Sequence, residues 1–301
     1  MSTASRKGRT TGAPRAALSL ADGRRLAWTE HGDPAGSPVL YCHGFPSSAD
    51  EARFTHDAAR RAGARMISPD RPGYGGSTPR ASDAVADWVD DAVALLDHLA
   101  ITPVAVLGVS GGAPYALALA ALRPGRVRRV ALVAGLGPLA ELGGTAGMSG
   151  LGRLSFRLAR DCPPLQAALF HAIGALIRVA PRLVFRALSA GGPPRDRELV
   201  RRPDVQAIWV RAMRGGVTYG ADPAIHELRR YARPWRFEVD RIAAPVDLWH
   251  GTADRVVPIG HSRYVAQRLG DAHAHWLPGD GHFSAPVGHI EDILHTLLTT
   301  A

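Results

Sequence analysis

Cysteine and lysine are nearly missing from this chain. Its 301 residues hold two cysteines, Cys42 and Cys162, so no disulfide framework can be built, and both read as reduced, small, buried residues. Of the 36 basic residues only Lys7 is a lysine. A net charge of +9 invites a nucleic-acid reading, yet the arginines are spread along the chain and many stand near acids, so no nucleic-acid partner is expected. Arg6, Lys7, Arg9 and Arg15 fall in the first sixteen residues without an acid, and residues 1–16 read as a disordered basic tail. Also missing is any run near the roughly 18 apolar residues that a membrane span needs, and residues 1–16 lack the apolar centre of a secretory signal. The expectation is a soluble cytoplasmic protein without a membrane partner. No internal repeat or low-complexity segment stands out.

What is present is an alternation of strand and helix patterns. Eight strands are predicted, over 17–20, 25–30, 39–42, 64–68, 104–109, 128–134, 246–250 and 273–277. Ala21-Asp22-Gly23 marks a hairpin between the first two. Helices are predicted over 49–62, ended by Gly63, and over 82–100 with Ser82 as its cap. Others are predicted over 111–122, 261–269 and 287–298. Alternation of this kind predicts an α/β fold, a mostly parallel sheet covered by helices on both faces. The rhythm breaks over 136–240, where Pro163-Pro164, Pro193-Pro194 and helical stretches occur without a strand pair. That segment reads as a helical cap inserted after the sixth strand, with 17–135 and 241–301 forming the core. Within it Leu165, Leu169, Ile173 and Ile177, widened by Phe170 and Leu176, form an apolar stripe expected to cover the mouth of a site.

The stretch Gly108-Val109-Ser110-Gly111-Gly112 follows a strand and opens an alanine-rich helix. Gly-x-Ser-x-Gly in that setting describes a nucleophile elbow, in which a sharp strand-to-helix turn exposes a serine oxygen at a helix N-terminus. The run does not fit Gly-x-Gly-x-x-Gly, so no dinucleotide and no other cofactor is implied. A serine hydroxyl needs a base, and the base needs an acid to fix its tautomer. Asp254 stands on the loop after the seventh strand and His282 on the loop after the eighth. Asp247 and Asp280 remain alternative acids. His273 and His275 share a face of one strand, but no third ligand at suitable spacing appears, so they read as partly buried strand residues and no metal is expected. His43 reads as an organiser of its loop. Asp70 and Arg71 read as a structural ion pair.

Four motifs together resemble the α/β-hydrolase fold superfamily, in the form of a capped serine hydrolase: His43-Gly44-Phe45-Pro46, Gly108–Gly112, Gly251-Thr252-Ala253-Asp254 and Gly281-His282. The loop Asp70-Arg71-Pro72-Gly73-Tyr74-Gly75 is similar to that family too, and the likeness covers about 18–135 and 240–300. It implies Ser110, Asp254 and His282 as the catalytic set, with the backbone N–H groups of Phe45 and Gly111 as oxyanion hole. It also implies hydrolysis of an ester or related acyl bond of a small molecule. Serine at 110 argues against relatives with an aspartate nucleophile, the haloalkane dehalogenases and epoxide hydrolases. Lactonase, peptidase, carbon–carbon bond hydrolase and perhydrolase activities stay open, as does a non-catalytic receptor for a small molecule.

Overall fold

β-branched and leucine-rich runs build the centre of the molecule. In the computed structural model, which describes residues 15–142 and 145–299, eight strands form one sheet in the order β1-β2-β4-β3-β5-β6-β7-β8. They are β1 (Ala16–Ser19), β2 (Arg25–Gly32), β3 (Ser37–Cys42), β4 (Ala64–Pro69), β5 (Val104–Val109), β6 (Val127–Val133), β7 (Val246–Gly251) and β8 (Ala272–Leu277). β2 pairs antiparallel with β1 and β4, and the other neighbours are parallel. Every residue of β5 is buried, the pattern of a strand covered on both faces.

Alternate residues of the strands feed two separate cores. Leu40, Val106 and Leu132 pack with α2 (Val89–His98), α3 (Ala113–Leu122) and Val265 of α10 (Gly260–Arg268) on one face. Val39, Leu107 and Val133 pack with α1 (His56–Ala62) and α12 (Ile290–Leu298) on the other. The short α11 (Ser284–Gly288) precedes α12, so the single helix predicted over 287–298 is two. Ser82 does not cap its helix. Its hydroxyl bonds to Asp87, whose carboxylate accepts the N–H groups of Asp83 and Ala84.

Between β6 and β7 the chain is helical and, among the described residues, contains no strand. The helices are α4 (Gly150–Asp161), α5 (Pro163–Val179), α6 (Pro181–Ser189), α7 (Pro194–Leu199), α8 (Pro203–Gly215) and α9 (Asp222–Tyr231). Each from α5 to α9 carries proline in its first turn, where the missing N–H would have had no partner anyway. The prolines that look like breaks in the sequence are therefore helix starts. No single helix among the described residues is long and apolar enough to cross a membrane.

Two expectations about burial hold only in part. Of the stripe on α5, Phe170 and Ile177 are buried and, with Ile173 and Leu176, line the cavity described below, whereas Leu165 is 54% exposed and Gln166 and Gly174 complete the buried side. Gln166 can face inward because its amide donates to the Ile225 carbonyl and accepts from Arg229. Cys42 is buried, but Cys162, at the joint between α4 and α5, is exposed. Residues 1–14 lie outside the described residues. Arg15 and Ala16, read with the tail, join the fold instead: Ala16 opens β1, and Arg15 bonds Asp50 and Asp70 at 2.8 Å each.

Candidate active site

The sheet order reverses between β3 and β5, and at such a switch point two loops leave neighbouring strands in opposite directions and open a crevice. Cys42 of β3 is level with Gly108 of β5, so the loop from His43 to Pro46 and the turn at Ser110 flank one another. Ser110 has φ of 52°, a left-handed backbone that a non-glycine residue adopts only under constraint. Its neighbours explain how the turn is held. A Cβ on Gly112 would lie 2.0 Å from the Cys42 carbonyl oxygen, and one on Gly108 would lie 2.8 Å from the Ala116 Cβ. Only glycine permits strand, turn and helix to approach this closely.

Ser110, His282 and Asp254 form one hydrogen-bonded line. His282 Nε2 is 2.9 Å from Ser110 Oγ and its Nδ1 is 2.7 Å from Asp254 Oδ2. With the carboxylate accepting, the proton sits on Nδ1, and Nε2 is left to accept from the serine hydroxyl. Asp254 also accepts the N–H groups of Val256 and Val257 at 2.8 and 3.0 Å. Burial would raise this carboxyl, but the charge of His282 and hydrogen bonds from His250 and His282 hold it far below the usual carboxylate range. Burial likewise opposes charge on His282, and is outweighed by the charge and hydrogen bond of Asp254, so the imidazole lies above its ordinary value.

The alternative acids are engaged elsewhere. Asp247 bonds Arg129 and His275 at 2.7 and 3.1 Å, and Asp280 bonds Arg195 and His289 at 2.8 and 3.0 Å. His273 is exposed beside Asp271, while His275 stacks on Trp249. No cluster of ligands able to hold a metal occurs among the described residues.

Behind the loop of Phe45 lies a second polar cluster that sequence reasoning did not assemble. Asp70 and Arg71 do not pair with each other. Asp70 takes Arg15 and the N–H groups of Ala49 and Gly76, whereas Arg71 bonds Glu227 of α9 at 2.7 Å. Arg71 also donates to the His43 carbonyl, and at 2.9 Å to the Gly44 carbonyl. His43 donates from Nδ1 to the same Gly44 oxygen, at 2.9 Å, and accepts the Arg71 N–H at Nε2. The Gly44 carbonyl belongs to the same planar peptide as the Phe45 N–H. Fixing that oxygen therefore fixes the direction of the N–H. Tyr74 and Tyr115 donate to Glu227, and Tyr231 donates to the Gly111 carbonyl at 2.8 Å.

Above Ser110 is a cavity of about 570 Å³, within the range of small-molecule sites. Phe156, Phe170, Ile177, Phe185, Trp209 and Met213 of the helical insertion line it, with Ser110, His282, Phe45 and Gly111 at its floor. Asp196 of α7 accepts the N–H groups of Phe283 and Ser284, so an inserted helix also holds the loop that carries His282. Arg153, Arg157, Arg160, Arg178, Arg182 and Arg186 are exposed, and none lines the cavity.

With this geometry in hand, comparison with known proteins is informative. Over residues 37–288 the chain matches the family described as alpha/beta hydrolase fold. It is 28% identical over 265 residues to an uncharacterized hydrolase, YcgS, of Bacillus subtilis, covering 87% of this chain and 89% of that one. A non-heme chloroperoxidase of Streptomyces lividans is 28% identical over 249 residues, 80% of this chain and 83% of the peroxidase. The solved structure of an alpha/beta hydrolase fold protein from Nakamurella multipartita superposes with a TM-score of 0.66 at 26% identity, over 95% of this chain and 99% of that one.

Proposed function

The chain belongs to the α/β-hydrolase fold family and is a hydrolase, and from that premise we propose that Ser110 is its nucleophile and that it cleaves an ester or related acyl bond of a small, largely apolar molecule. The observation that carries this reading is the unbroken line from Asp254 through His282 to Ser110, ending at the floor of an apolar cavity. Ser110 Oγ attacks the carbonyl carbon while His282 Nε2 takes its proton. Negative charge develops on the carbonyl oxygen, which the N–H groups of Phe45 and Gly111 receive, each such donor contributing about 3–4 kcal/mol in enzymes of this type. His282 then returns the proton to the leaving alcohol, and an acyl group stays on Ser110. Water, deprotonated by the same imidazole, reverses the sequence and releases the acid. Asp254 keeps the Nδ1 proton in place and offsets the imidazolium charge.

The apolar lining supports small uncharged acyl or alcohol groups, and the outward-facing arginines leave no cation to receive a substrate carboxylate. The test is a screen over short and medium acyl esters, lactones, amides and aryl ketones, run beside labelling with a fluorophosphonate. Esters are expected to turn over, and the probe to label the wild type and spare Ser110→Ala. Hydrolysis that survives Ser110→Ala overturns the assignment of the nucleophile. A preference above about tenfold in kcat/KM for a carboxylate-bearing ester over its neutral match overturns the apolar-substrate reading.

A further inference from the structure

Apolar side chains stand in water around the mouth of the cavity. Leu151 and Leu154 of α4, Leu176 and Val179 of α5, and Leu183 and Leu188 of α6 are between 38% and 79% exposed. A residue that lines the cavity and also faces water stands at its opening, and Leu151, Leu176, Leu188 and Val256 do both. α4 packs on α5 and α5 on α6, so the apolar lining runs out through the mouth onto neighbouring helices. Exposed leucines are ordinary when scattered, but a contiguous group marks a place where something apolar is met.

Charge is spread over the same helices just as unevenly. Residues 149–189 hold six arginines and one acid, Asp161, which bonds Arg160 at 2.7 Å. Arg153 and Arg157 stand one turn apart on α4, and Arg182 and Arg186 one turn apart on α6. All four are exposed, and none pairs with a carboxylate among the described residues. Like charges at this spacing weaken a helix, a cost that nothing within the described fold offsets. None of the four lines the cavity, so they do not serve a substrate already inside it. Leu154 lies beside Arg153, and Leu183 beside Arg182, so apolar and cationic groups alternate on one outer surface.

We propose that α4, α5 and α6 form a docking surface for an anionic lipid bilayer, with the exposed leucines and Val179 among the acyl chains and the arginines on headgroup phosphates. A basic amphipathic helix of this kind lies in the interface without spanning it. The proposal thus needs no membrane-spanning helix, and it revises the expectation of no membrane partner. A second copy fits less well, because a two-fold contact through this face sets arginine against arginine. A nucleic acid would engage the arginines and leave the leucines in water. On a bilayer the mouth faces lipid, and an apolar ester dissolved there reaches Ser110 without crossing water. That delivery step rests on the hydrolase reading above; the docking step does not.

The test is sedimentation with sucrose-loaded vesicles of phosphatidylcholine, alone or mixed with an equal part of phosphatidylglycerol. The wild type is expected to bind the mixed vesicles at least about tenfold more tightly, and to leave them at high salt. Arg182→Glu with Arg186→Glu should abolish that preference, and Val179→Ser with Leu183→Ser should weaken binding to mixed vesicles by about tenfold. These four positions are exposed and outside the cavity, so circular dichroism and turnover of a soluble short-chain ester should stay unchanged. Equal binding of the two vesicle types, or none, overturns the proposal, as does binding that survives both pairs of substitutions. If a variant does not fold, the wild-type comparison alone decides. A medium-chain ester dissolved in the vesicles should be hydrolysed faster from the mixed ones, and equal rates overturn the delivery step. Vesicle binding without turnover of any ester overturns the hydrolase reading instead and leaves the docking surface in place.

Discussion

Two buried polar clusters lie on opposite sides of the Phe45 loop, and they differ in what their charges are free to do. In the line of Ser110, His282 and Asp254, the carboxylate end is held by His282 and two backbone N–H groups, and the serine end opens on a cavity. In the cluster of Arg71, Glu227, Tyr74 and Tyr115, guanidinium and carboxylate are saturated by one another, by two hydroxyls and by backbone carbonyls, away from solvent. A saturated cluster fixes geometry, because any movement breaks several bonds at once. A line with an unfilled end can pass a proton along. The molecule keeps the two tasks apart while letting the first depend on the second through the Gly44 carbonyl.

Variants on the two sides should therefore fail in opposite ways. Ser110→Ala is expected to lower kcat by about 10⁴-fold or more, since such groups act as a unit, while leaving thermal unfolding almost unchanged. Arg71→Ala leaves Glu227 buried without its directly bonded cation, and removal of one partner of a buried pair costs about 3–5 kcal/mol. It should reveal itself first as a lowered urea midpoint. Activity lost from Arg71→Ala at full stability, or stability lost from Ser110→Ala, would merge the two clusters into one and remove the distinction.

A smaller effect probes the peptide that links them. Phe45→Pro deletes the N–H aimed by the Gly44 carbonyl and is expected to reduce kcat by about 10²-fold or more. Phe45→Ala keeps that N–H and loses a ring packed near Phe170 and Tyr231, so it should chiefly change which esters are preferred. Equal losses from both substitutions, measured on a common ester series, would mean that the ring outweighs the amide.

The same division separates what the sequence reveals from what it conceals. The elbow is legible because sterics leave no other choice than glycine at 108 and 112, so the pattern survives in one dimension. The strands are legible either as buried apolar runs, such as β5, or as alternations of apolar and polar residues, such as β2 and β8, bounded by turn residues. Arg71 and Glu227 are not, because they stand 156 positions apart and meet only once the inserted helices have folded. Adjacent opposite charges at 70 and 71 suggest a pair, yet the strand end sends the two side chains to different partners. On α5 the apolar stripe is legible at Phe170 and Ile177 but not at Leu165, because spacing tracks only apolar residues, whereas Gln166 faces inward once its amide is satisfied.

The last comparison is in pH. In the proposed mechanism His282 acts as a base only when neutral, and its charged form is favoured by Asp254 beyond what burial opposes. The acid limb of kcat/KM is therefore expected above the ordinary histidine value of about 6.5, with a loss of about tenfold per unit below it. Unfolding does not explain such a limb. A histidine raised in the folded state contributes stability that is fully present below its unfolded value and is lost as pH rises through the folded one, so this group stabilises the protein on the acid side. Circular dichroism should stay constant while activity falls. Asp254→Asn removes the cause of the raised value and leaves burial, which lowers it; the residual activity should be weaker and its limb displaced to lower pH. Arg71→Lys, on the saturated side, should leave the limb where it is. A limb that moves with Arg71→Lys and stays fixed in Asp254→Asn would assign the titrating group to the wrong side of the loop.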